Sequence, residues 1–207
     1  TFDPTTGGAL LFGGSNGASP ATIFGDTWRL IGNTWSQLAV SPAPPARAGA
    51  SIAADTVRQR VVLWGGSGVG ASLDDTWEWN GSAWLLQNPA HRPPVSGIQS
   101  MAFEPTLGAV VLLTRPSLLS DVLETWIWTS ADWVRLDTPT RITPWFGTTV
   151  AAGPGRVFAQ DGENLYALTP TPPAVTSFAT PCPAGAWQLT ADTWPRPGTS
   201  TFALTTS

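Results

Sequence analysis

Histidine, tyrosine and cysteine, three side chains that could carry chemistry, each occur only once in this chain of 207 residues. The histidine, His91, lies in a proline-flanked loop at positions 89–93 without a nucleophile motif nearby, so nothing indicates a Ser-His-Asp triad. The adjacent carboxylates Asp74 and Asp75 lack the spacing of a calcium-binding loop. We therefore expect no catalytic residues, no metal site, no cofactor and no enzymatic activity.

The overall charge and composition argue against two classes of partner. The chain has a net charge of −4 and a pI near 4.7, whereas nucleic-acid binding asks for a clustered basic face. No apolar run approaches the roughly 20 residues of a membrane-spanning helix. Hydrophobic residues make up 42% of the chain and charged residues 12%, which is typical of a globular protein. We predict no nucleic-acid partner and no membrane span.

The elements that must position any site recur along the chain. The triplet Asp26-Thr27-Trp28 returns as Asp75-Thr76-Trp77 and as Glu124-Thr125-Trp126, at a period of about 49–50 residues. Each copy has a second tryptophan seven residues after the first, which gives the pairs Trp28/Trp35, Trp77/Trp84 and Trp126/Trp133. Each indole ring can bury about 150–250 Å². We predict that all six rings pack between neighbouring sheets and do not form a ligand site.

Each repeat has the pattern of four short antiparallel strands. Two of the apolar second strands end in a glycine pair, where we expect positive φ or close approach of a neighbouring segment. The pairs are Gly13-Gly14 and Gly65-Gly66. The third copy has Thr114-Arg115 at this place. No stretch shows the 3.6-residue apolar period of a helix, so the sequence predicts an all-β fold with essentially no helix.

The unit resembles the kelch repeat, with a small-residue strand, an apolar strand ending in two glycines, an Asp-x-Trp strand and a last strand opened by tryptophan. The resemblance implies a β-propeller whose blades of four strands surround a central axis. We expect about four blades, of which the first is incomplete and the fourth is degenerate because it lacks both tryptophans. Their approximate ranges are 1–40, 49–87, 97–137 and 146–179.

Kelch proteins are chiefly binding scaffolds, with a minority of copper radical oxidases. The oxidase site needs two tyrosines, two histidines and a cysteine crosslinked to one of the tyrosines. This chain has a single residue of each type, namely Tyr166, His91 and Cys182. The resemblance therefore implies a bacterial, galactose-oxidase-like propeller without the copper site. Cys182 is either a free thiol or the partner of a cysteine elsewhere in a longer chain.

The two ends of the chain depart from a complete set of repeats. Phe-Asp-Pro at positions 2–4 matches Phe-Glu-Pro at positions 103–105, inside a later repeat. We expect the chain to begin inside a blade and to be a fragment, with missing blades of the same chain as its partners. Residues 180–207 lose the register, and we predict that they form a separate, truncated β segment. The expected division is propeller blades over 1–179 and this segment over 180–207.

The predicted topology places the variable segments on one face. In a four-stranded antiparallel blade, the loop between the second and third strands and the connection to the next blade open together, and the short turns open opposite. The long segments are 15–25, 67–74 and 115–123, with the connections 41–48, 88–96 and 138–146. Binding residues concentrate on loops held by a rigid scaffold. We predict ligand-facing side chains at Asn16, Arg47, His91, Arg92, Arg115, Arg141 and Trp145.

Two of these residues have a more specific interpretation. Trp145 lies in a connection instead of a strand, so it is the best candidate for an aromatic platform. Arg47 resembles the kelch arginine that precedes the first strand of a blade, which implies a structural role as an alternative to ligand binding.

The leading functional hypothesis is a non-catalytic binding scaffold from a secreted or cell-surface bacterial protein, with a carbohydrate or a protein as its ligand. A charge-poor composition rich in Trp, Thr and Gly favours this extracellular location. The alternative is an accessory propeller of a larger secreted oxidase or glycan-active enzyme whose active site lies outside this chain. An intracellular adaptor is a third hypothesis.

Overall fold

A computed structural model of the protein describes residues 1–95, 99–117, 120, 123–136, 149–153, 156–161, 164–170 and 187–192. These residues form sixteen β-strands and no helix. No helix long and apolar enough to cross a membrane is therefore found among them. The prediction of an all-β fold is confirmed.

The strands form four antiparallel sheets, and within each sheet the strands neighbour one another in chain order. Sheet 1 contains β1 (Phe2–Asp3), β2 (Gly8–Ser15), β3 (Ile23–Ile31) and β4 (Thr34–Leu38). Sheet 2 contains β5 (Ser51–Asp55), β6 (Arg60–Trp64), β7 (Thr76–Trp79) and β8 (Trp84–Gln87). Sheet 3 contains β9 (Gln99–Glu104), β10 (Ala109–Thr114), β11 (Glu124–Trp128) and β12 (Trp133–Leu136). Sheet 4 contains β13 (Thr149–Gly153), β14 (Arg156–Asp161), β15 (Asn164–Pro170) and β16 (Trp187–Asp192).

Sheet 4 differs from the predicted division of the chain. The sequence predicts a separate segment over residues 180–207, whereas Trp187–Asp192 pairs with Asn164–Pro170 and supplies the fourth strand of this sheet. Residues 171–186 separate these two strands, in place of the tight turn found in the earlier repeats. Because of this long separation, the spacing of the repeat does not predict that Trp187 begins β16. A tryptophan begins β8 and β12 in the same way. Residues 171–179, the end of the predicted fourth blade, lie outside the described residues.

The glycine pairs adopt backbone conformations that favour glycine. Gly13 and Gly14 have φ angles of +63° and +116°, and Gly65 and Gly66 have φ angles of +72° and +95°. Space is restricted as well, because a Cβ atom on Gly13 would lie 2.5 Å from the carbonyl oxygen of Arg47. The expectation of positive φ and close approach at these pairs is confirmed.

The four sheets pack in chain order through their first strands. β1 contacts β5, β5 contacts β9, and β9 contacts β13. Because side chains alternate along a strand, sheets 2 and 3 each have a leading face, which contacts the preceding sheet, and a trailing face, which lies on the side of the following sheet. The leading face of sheet 2 carries Val61, Leu63, Trp77, Trp79 and Trp84, and its trailing face carries Val62 and Trp64.

Among the residues whose side chains are described, one hydrophobic core lies between sheets 1 and 2 and another between sheets 2 and 3. Leu10 and Phe12 of sheet 1 pack on the leading face of sheet 2. The trailing face of sheet 2 packs in turn on sheet 3, whose contacting residues are Met101, Val110, Leu112, Trp128 and Trp133. The second tryptophans of sheets 2 and 3, Trp84 and Trp133, lie at the centre of this packing. The ring of Phe12 meets Trp84 edge-on at 5.4 Å, and Trp64 meets Trp133 edge-on at 6.4 Å.

A hydrogen bond from one sheet to the next accompanies each core. The indole N–H of Trp84 donates to the hydroxyl of Thr27 at 3.0 Å, and that of Trp133 donates to the hydroxyl of Thr76 at 2.8 Å. Both acceptors are the middle residue of the repeated triplet in the preceding sheet. The repeat therefore produces this bond at both interfaces in the same register. Each bond gives the buried indole N–H an acceptor that it would otherwise lack.

The six paired tryptophans do not share one environment. Trp77, Trp84 and Trp133 are buried, and Trp28 and Trp126 are half-buried. Trp35 is 47% exposed, so the prediction that all six rings pack between sheets is wrong for this residue. Trp35 belongs to sheet 1, and no described strand packs on the leading face of that sheet.

Each of the first three sheets also buries a carboxylate at the end of its first strand. These residues are Asp3, Asp55 and Glu104. Each accepts a hydrogen bond from a backbone N–H of the following turn, at 3.0, 3.1 and 2.6 Å from Thr5, Val57 and Leu107 respectively. The match between positions 2–4 and 103–105 in the sequence therefore corresponds to a conserved turn geometry within the chain.

We expect Trp84→Ala to lower the free energy of unfolding by about 3–5 kcal/mol, because a large buried ring is removed and leaves a cavity. Denaturant unfolding followed by circular dichroism measures this change. Trp35→Ala is the matched control at the same repeat position, and in dilute solution it should change the free energy by less than about 1 kcal/mol. Equal losses for both variants would contradict the assignment of Trp84 to the core.

Candidate ligand-binding loops

The connections between sheets lie against the ends of the second strands. The N–H of Gly14 donates to the carbonyl oxygen of Arg47 at 2.9 Å, and the N–H of Ser67 donates to that of Ala48 at 2.8 Å. In sheet 3 the hydroxyl of Thr114 donates to the carbonyl oxygen of Pro94 at 2.8 Å. The loops after the second strands (16–22, 65–75 and 115–117) and the connections (39–50 and 88–95) therefore share one end of the sheets, which we call the loop end.

Arg47 lies inside the loop end and does not face a ligand. Its side chain is buried, and Nη1 and Nη2 donate to the two carboxylate oxygens of Asp75 at 2.6 and 2.8 Å. Nη1 also donates to the carbonyl oxygen of Gly65 at 3.0 Å, and Nε donates to that of Pro45 at 3.0 Å. The prediction of a ligand-facing Arg47 is wrong, because these acceptors engage the guanidinium and fix the connection to sheet 2. The structural alternative fits this geometry.

The pKa of Asp75 follows from the same contacts. Partial burial acts to raise this pKa, but the hydrogen bonds from Arg47 and the Trp77 indole and the charge of Arg47 outweigh it, so the pKa is lowered. A lowered folded-state pKa stabilises the fold above the ordinary value of 3.8 and loses this contribution as the pH falls through the lowered value.

His91 lies at the loop end and is oriented by sheet 3. Its ring is 71% exposed, and Nδ1 lies 2.7 Å from a carboxylate oxygen of Asp132. The backbone N–H of His91 donates to the other carboxylate oxygen of Asp132 at 2.8 Å. With Nδ1 engaged, Nε2 is the ring nitrogen left for an external partner.

Asp132 lies in the short turn between β11 and β12, so the prediction that short turns open away from the connections is wrong here. Neighbouring strands twist by about 20–25°, and across a four-stranded sheet this twist brings the outer turn towards the neighbouring connection. Burial acts to raise the pKa of Asp132, but hydrogen bonds from the backbone and ring of His91 and from the Trp133 backbone outweigh it and lower the pKa.

Arg92, next to His91, reaches across the loop end of sheet 2. Its Nη1 donates to a carboxylate oxygen of Asp74 at 2.9 Å, and both side chains are about half exposed. The connection at 88–95 thus presents a histidine and an arginine side by side. Each is paired with a carboxylate from a different sheet.

The other predicted ligand-facing residues have different placements. Asn16 is exposed, and its side-chain oxygen accepts hydrogen bonds from the backbone N–H groups of Ala18 and Thr22 at 3.1 and 2.9 Å. Nε of Arg115 donates to the carbonyl oxygen of Ser120 at 2.6 Å. Asn16 and Arg115 are therefore bound to their own loops. Arg141 and Trp145 lie outside the described residues.

Asp132 belongs to this site although its position in the repeat does not predict it. Asp132 is separated from His91 by 41 residues, and Ala83 occupies the equivalent turn position in sheet 2, so the repeat gives no signal. The signal in the sequence is the departure itself, because a carboxylate stands where the other two copies have Thr34 and Ala83. Asp74 was considered only as a candidate metal ligand.

These four side chains form a polar, partly exposed surface. No hydroxyl or thiol is hydrogen-bonded to His91 within the described part of the chain. Among the same residues, no group of three or more His, Cys, Asp or Glu side chains has a geometry that could hold a metal ion. The surface offers an imidazole, a guanidinium and two carboxylates to a ligand.

Comparison with known proteins gives no family for the chain. No protein-family model matches it, and no curated protein is significantly similar to it in sequence.

We expect Arg47→Met to lower the free energy of unfolding by about 3 kcal/mol, because the Asp75 carboxylate and two carbonyl oxygens lose their buried donor. Arg92→Met is the matched control, since its half-exposed ion pair with Asp74 should contribute less than about 1 kcal/mol. Denaturant unfolding at neutral pH measures both values. A loss for Arg47→Met no larger than that for Arg92→Met would show that the buried pair does not hold the connection.

We expect the pKa of Asp132 to rise towards its ordinary value of 3.8 in His91→Ala. The rise should be partial, because the variant loses the ring contact but keeps the two backbone N–H donors. Carboxyl carbon chemical shifts followed by NMR over an acid titration measure this change. An unchanged pKa would mean that the imidazole does not interact with Asp132 in solution.

Proposed function

We propose that this protein is a non-catalytic binding module whose ligand occupies the loop end beside His91 and Arg92. The observation that carries the proposal is the paired geometry of these two adjacent residues. Asp132 orients the exposed imidazole and Asp74 orients the exposed guanidinium, so both side chains are held in place before a ligand arrives. Orientation in advance lowers the conformational entropy lost on binding.

The arrangement of the sheets supports the further proposal that these are blades of a kelch-like β-propeller. Antiparallel meanders of four strands pack in chain order through their first strands, as blades do around a central axis. Radial stacking of this kind gathers the loops of successive blades on one face, where a ligand can contact several of them. The repeated triplet and glycine pairs are consistent with the same architecture.

The class of ligand that suits this surface is a carbohydrate or a polar protein segment. Hydroxyl and carbonyl groups complement an imidazole, a guanidinium and two carboxylates, which together provide both donors and acceptors. A stacking ring from Trp145 would favour a sugar. We also propose that the protein is bacterial and is secreted or lies on the cell surface, in keeping with its charge-poor composition.

A glycan array and a panel of immobilised extracellular proteins test the proposal. We expect the ligand found in either screen to bind at least about tenfold more weakly to His91→Ala and to Arg92→Ala. Arg60→Ala, at the start of β6, is the charge-matched control and should leave the affinity unchanged. Trp145→Ala should weaken binding if the ligand is a sugar.

Binding that survives both His91→Ala and Arg92→Ala would place the ligand elsewhere on the molecule. Circular dichroism of each variant verifies that a loss of binding does not reflect a loss of fold.

A further inference from the structure

His91 presents one free ring nitrogen at the loop end, and its neighbour Asp132 decides where the ring proton lies. Nδ1 of His91 is 2.7 Å from a carboxylate oxygen of Asp132. Burial acts to raise the pKa of Asp132, but the hydrogen bonds from His91 and the Trp133 backbone outweigh it and hold the pKa below the ordinary value of 3.8. The carboxylate is therefore ionised at neutral pH, and an ionised carboxylate only accepts hydrogen bonds. Nδ1 consequently carries the proton.

This tautomer fixes the polarity of Nε2. When the neutral imidazole has its proton on Nδ1, Nε2 has a lone pair and accepts a hydrogen bond. The ring is 71% exposed, and in the described part of the chain no group is hydrogen-bonded to Nε2. A ligand group that meets this nitrogen must therefore donate.

The charged groups around His91 disfavour an anionic ligand. Asp132 is a carboxylate in the turn between β11 and β12, and Asp74 is a carboxylate in the loop after β6. Arg92, the cation of the same connection, already donates to Asp74 at 2.9 Å. While the imidazole is neutral, these four side chains have a net negative charge. An anionic group would meet this charge and the lone pair of Nε2, and both repel it.

The exposed residues of the connection at 88–95 favour a sugar over a protein segment. They are Asn88, Ala90, His91 and Arg92, and no large apolar side chain of this connection is exposed. Protein partners take most of their affinity from large side chains that become buried in well-packed pockets. The hydroxyl groups of a sugar both donate and accept, so one can donate to Nε2 while another accepts from the guanidinium of Arg92.

We propose that the ligand of the loop end is a neutral sugar, one hydroxyl group of which donates to Nε2 of His91. This assignment rests on the function proposed above and adds its selectivity. Ionised carboxylate and sulfate groups accept hydrogen bonds and do not donate them, so sugars that carry them at this position are rejected while the imidazole is neutral. When the imidazole gains a second proton, Nε2 becomes a donor and the rejection weakens. A hydroxyl group can rotate to accept, so neutral sugars bind in both states.

Long-range proton–nitrogen NMR of the imidazole tests the tautomer without any ligand. Because the chain has one histidine, both ring nitrogens are assigned directly to His91. At about pH 8 we expect a protonated Nδ1 and an unprotonated Nε2. Asp132→Ala should lose this preference, whereas Asp74→Ala, the matched change of the other carboxylate, should retain it. A proton on Nε2 in the wild-type chain would overturn the proposal.

A glycan array with neutral oligosaccharides printed beside their sulfated counterparts tests the selectivity. At about pH 8 we expect a neutral member to bind at least about tenfold more tightly than its sulfated counterpart. At about pH 5.5 this ratio should fall, because imidazoles gain their second proton between about pH 5 and 8. In His91→Gln, whose side chain does not titrate, the ratio should be the same at both pH values. Tighter binding of the sulfated member at about pH 8, or a wild-type ratio that does not change with pH, would overturn the proposal.

A wrong sugar assignment gives a different result from a wrong binding site. If no glycan binds and a protein of the extracellular panel does, the sugar assignment is overturned. The proposed function then stands as long as His91→Ala and Arg92→Ala weaken binding of that protein. Glycan binding that is equally strong in both alanine variants would instead contradict the proposed site, and with it the role of Nε2. If neither a glycan nor a protein binds, both proposals are wrong.

Discussion

Burial of indole rings between consecutive sheets is the interaction on which the rest of this structure depends. A single sheet of four short strands cannot bury its apolar face alone, so neighbouring sheets must cover one another. The repeated triplet serves both sides of this contact. Its acidic residue accepts the indole N–H of its own tryptophan, at 2.6, 2.7 and 3.0 Å in the three copies. Its threonine accepts a second indole from the following sheet, as Thr27 and Thr76 do.

The residue after the triplet makes the two interfaces chemically different. In sheet 2 this residue is Glu78, which accepts the indole N–H of Trp128 at 2.8 Å and pairs with Arg58 at 2.8 Å. Burial acts to lower the pKa of Arg58, but its hydrogen bonds and charge interactions with Glu78 and Asp55 outweigh it and raise the pKa.

In sheet 1 the equivalent residue is Arg29, which cannot accept a hydrogen bond. Its guanidinium lies 5.8 Å from the centre of the Trp79 ring, and its Nη2 donates to the carbonyl oxygen of Gly81 at 2.6 Å. The Trp79 indole N–H is buried without an acceptor. The interface between sheets 1 and 2 therefore has a cation–π contact at the position where the interface between sheets 2 and 3 has a hydrogen bond. Exchanging Arg29 and Glu78 between the sheets would disrupt both interfaces.

Properties that recur with the repeat were predictable from sequence, and properties that occur once were not. The strands, the glycine pairs and the burial of Trp84 and Trp133 follow from local pattern, because each copy repeats the same chemistry. The pairing of His91 with Asp132 joins a connection to a turn in the next sheet, and only the twist of the sheets brings them together. The exposure of Trp35 is not predictable for a related reason: its type and spacing match Trp84, and what differs is that no described sheet covers its face.

Sheet 3 shows how the loop end can vary without loss of the scaffold. Thr114 replaces the first glycine of the pair, and its buried hydroxyl binds the carbonyl oxygen of Pro94. In sheets 1 and 2 backbone N–H groups make the equivalent contact with the connection. In sheet 3 a side chain thus makes the contact that backbone N–H groups make in sheets 1 and 2. The backbone at Thr114 therefore does not need positive φ. Because the connections are anchored at their bases by such contacts and by Arg47, substitutions at their tips can alter the surface around His91 and Arg92 while the packing between sheets is preserved.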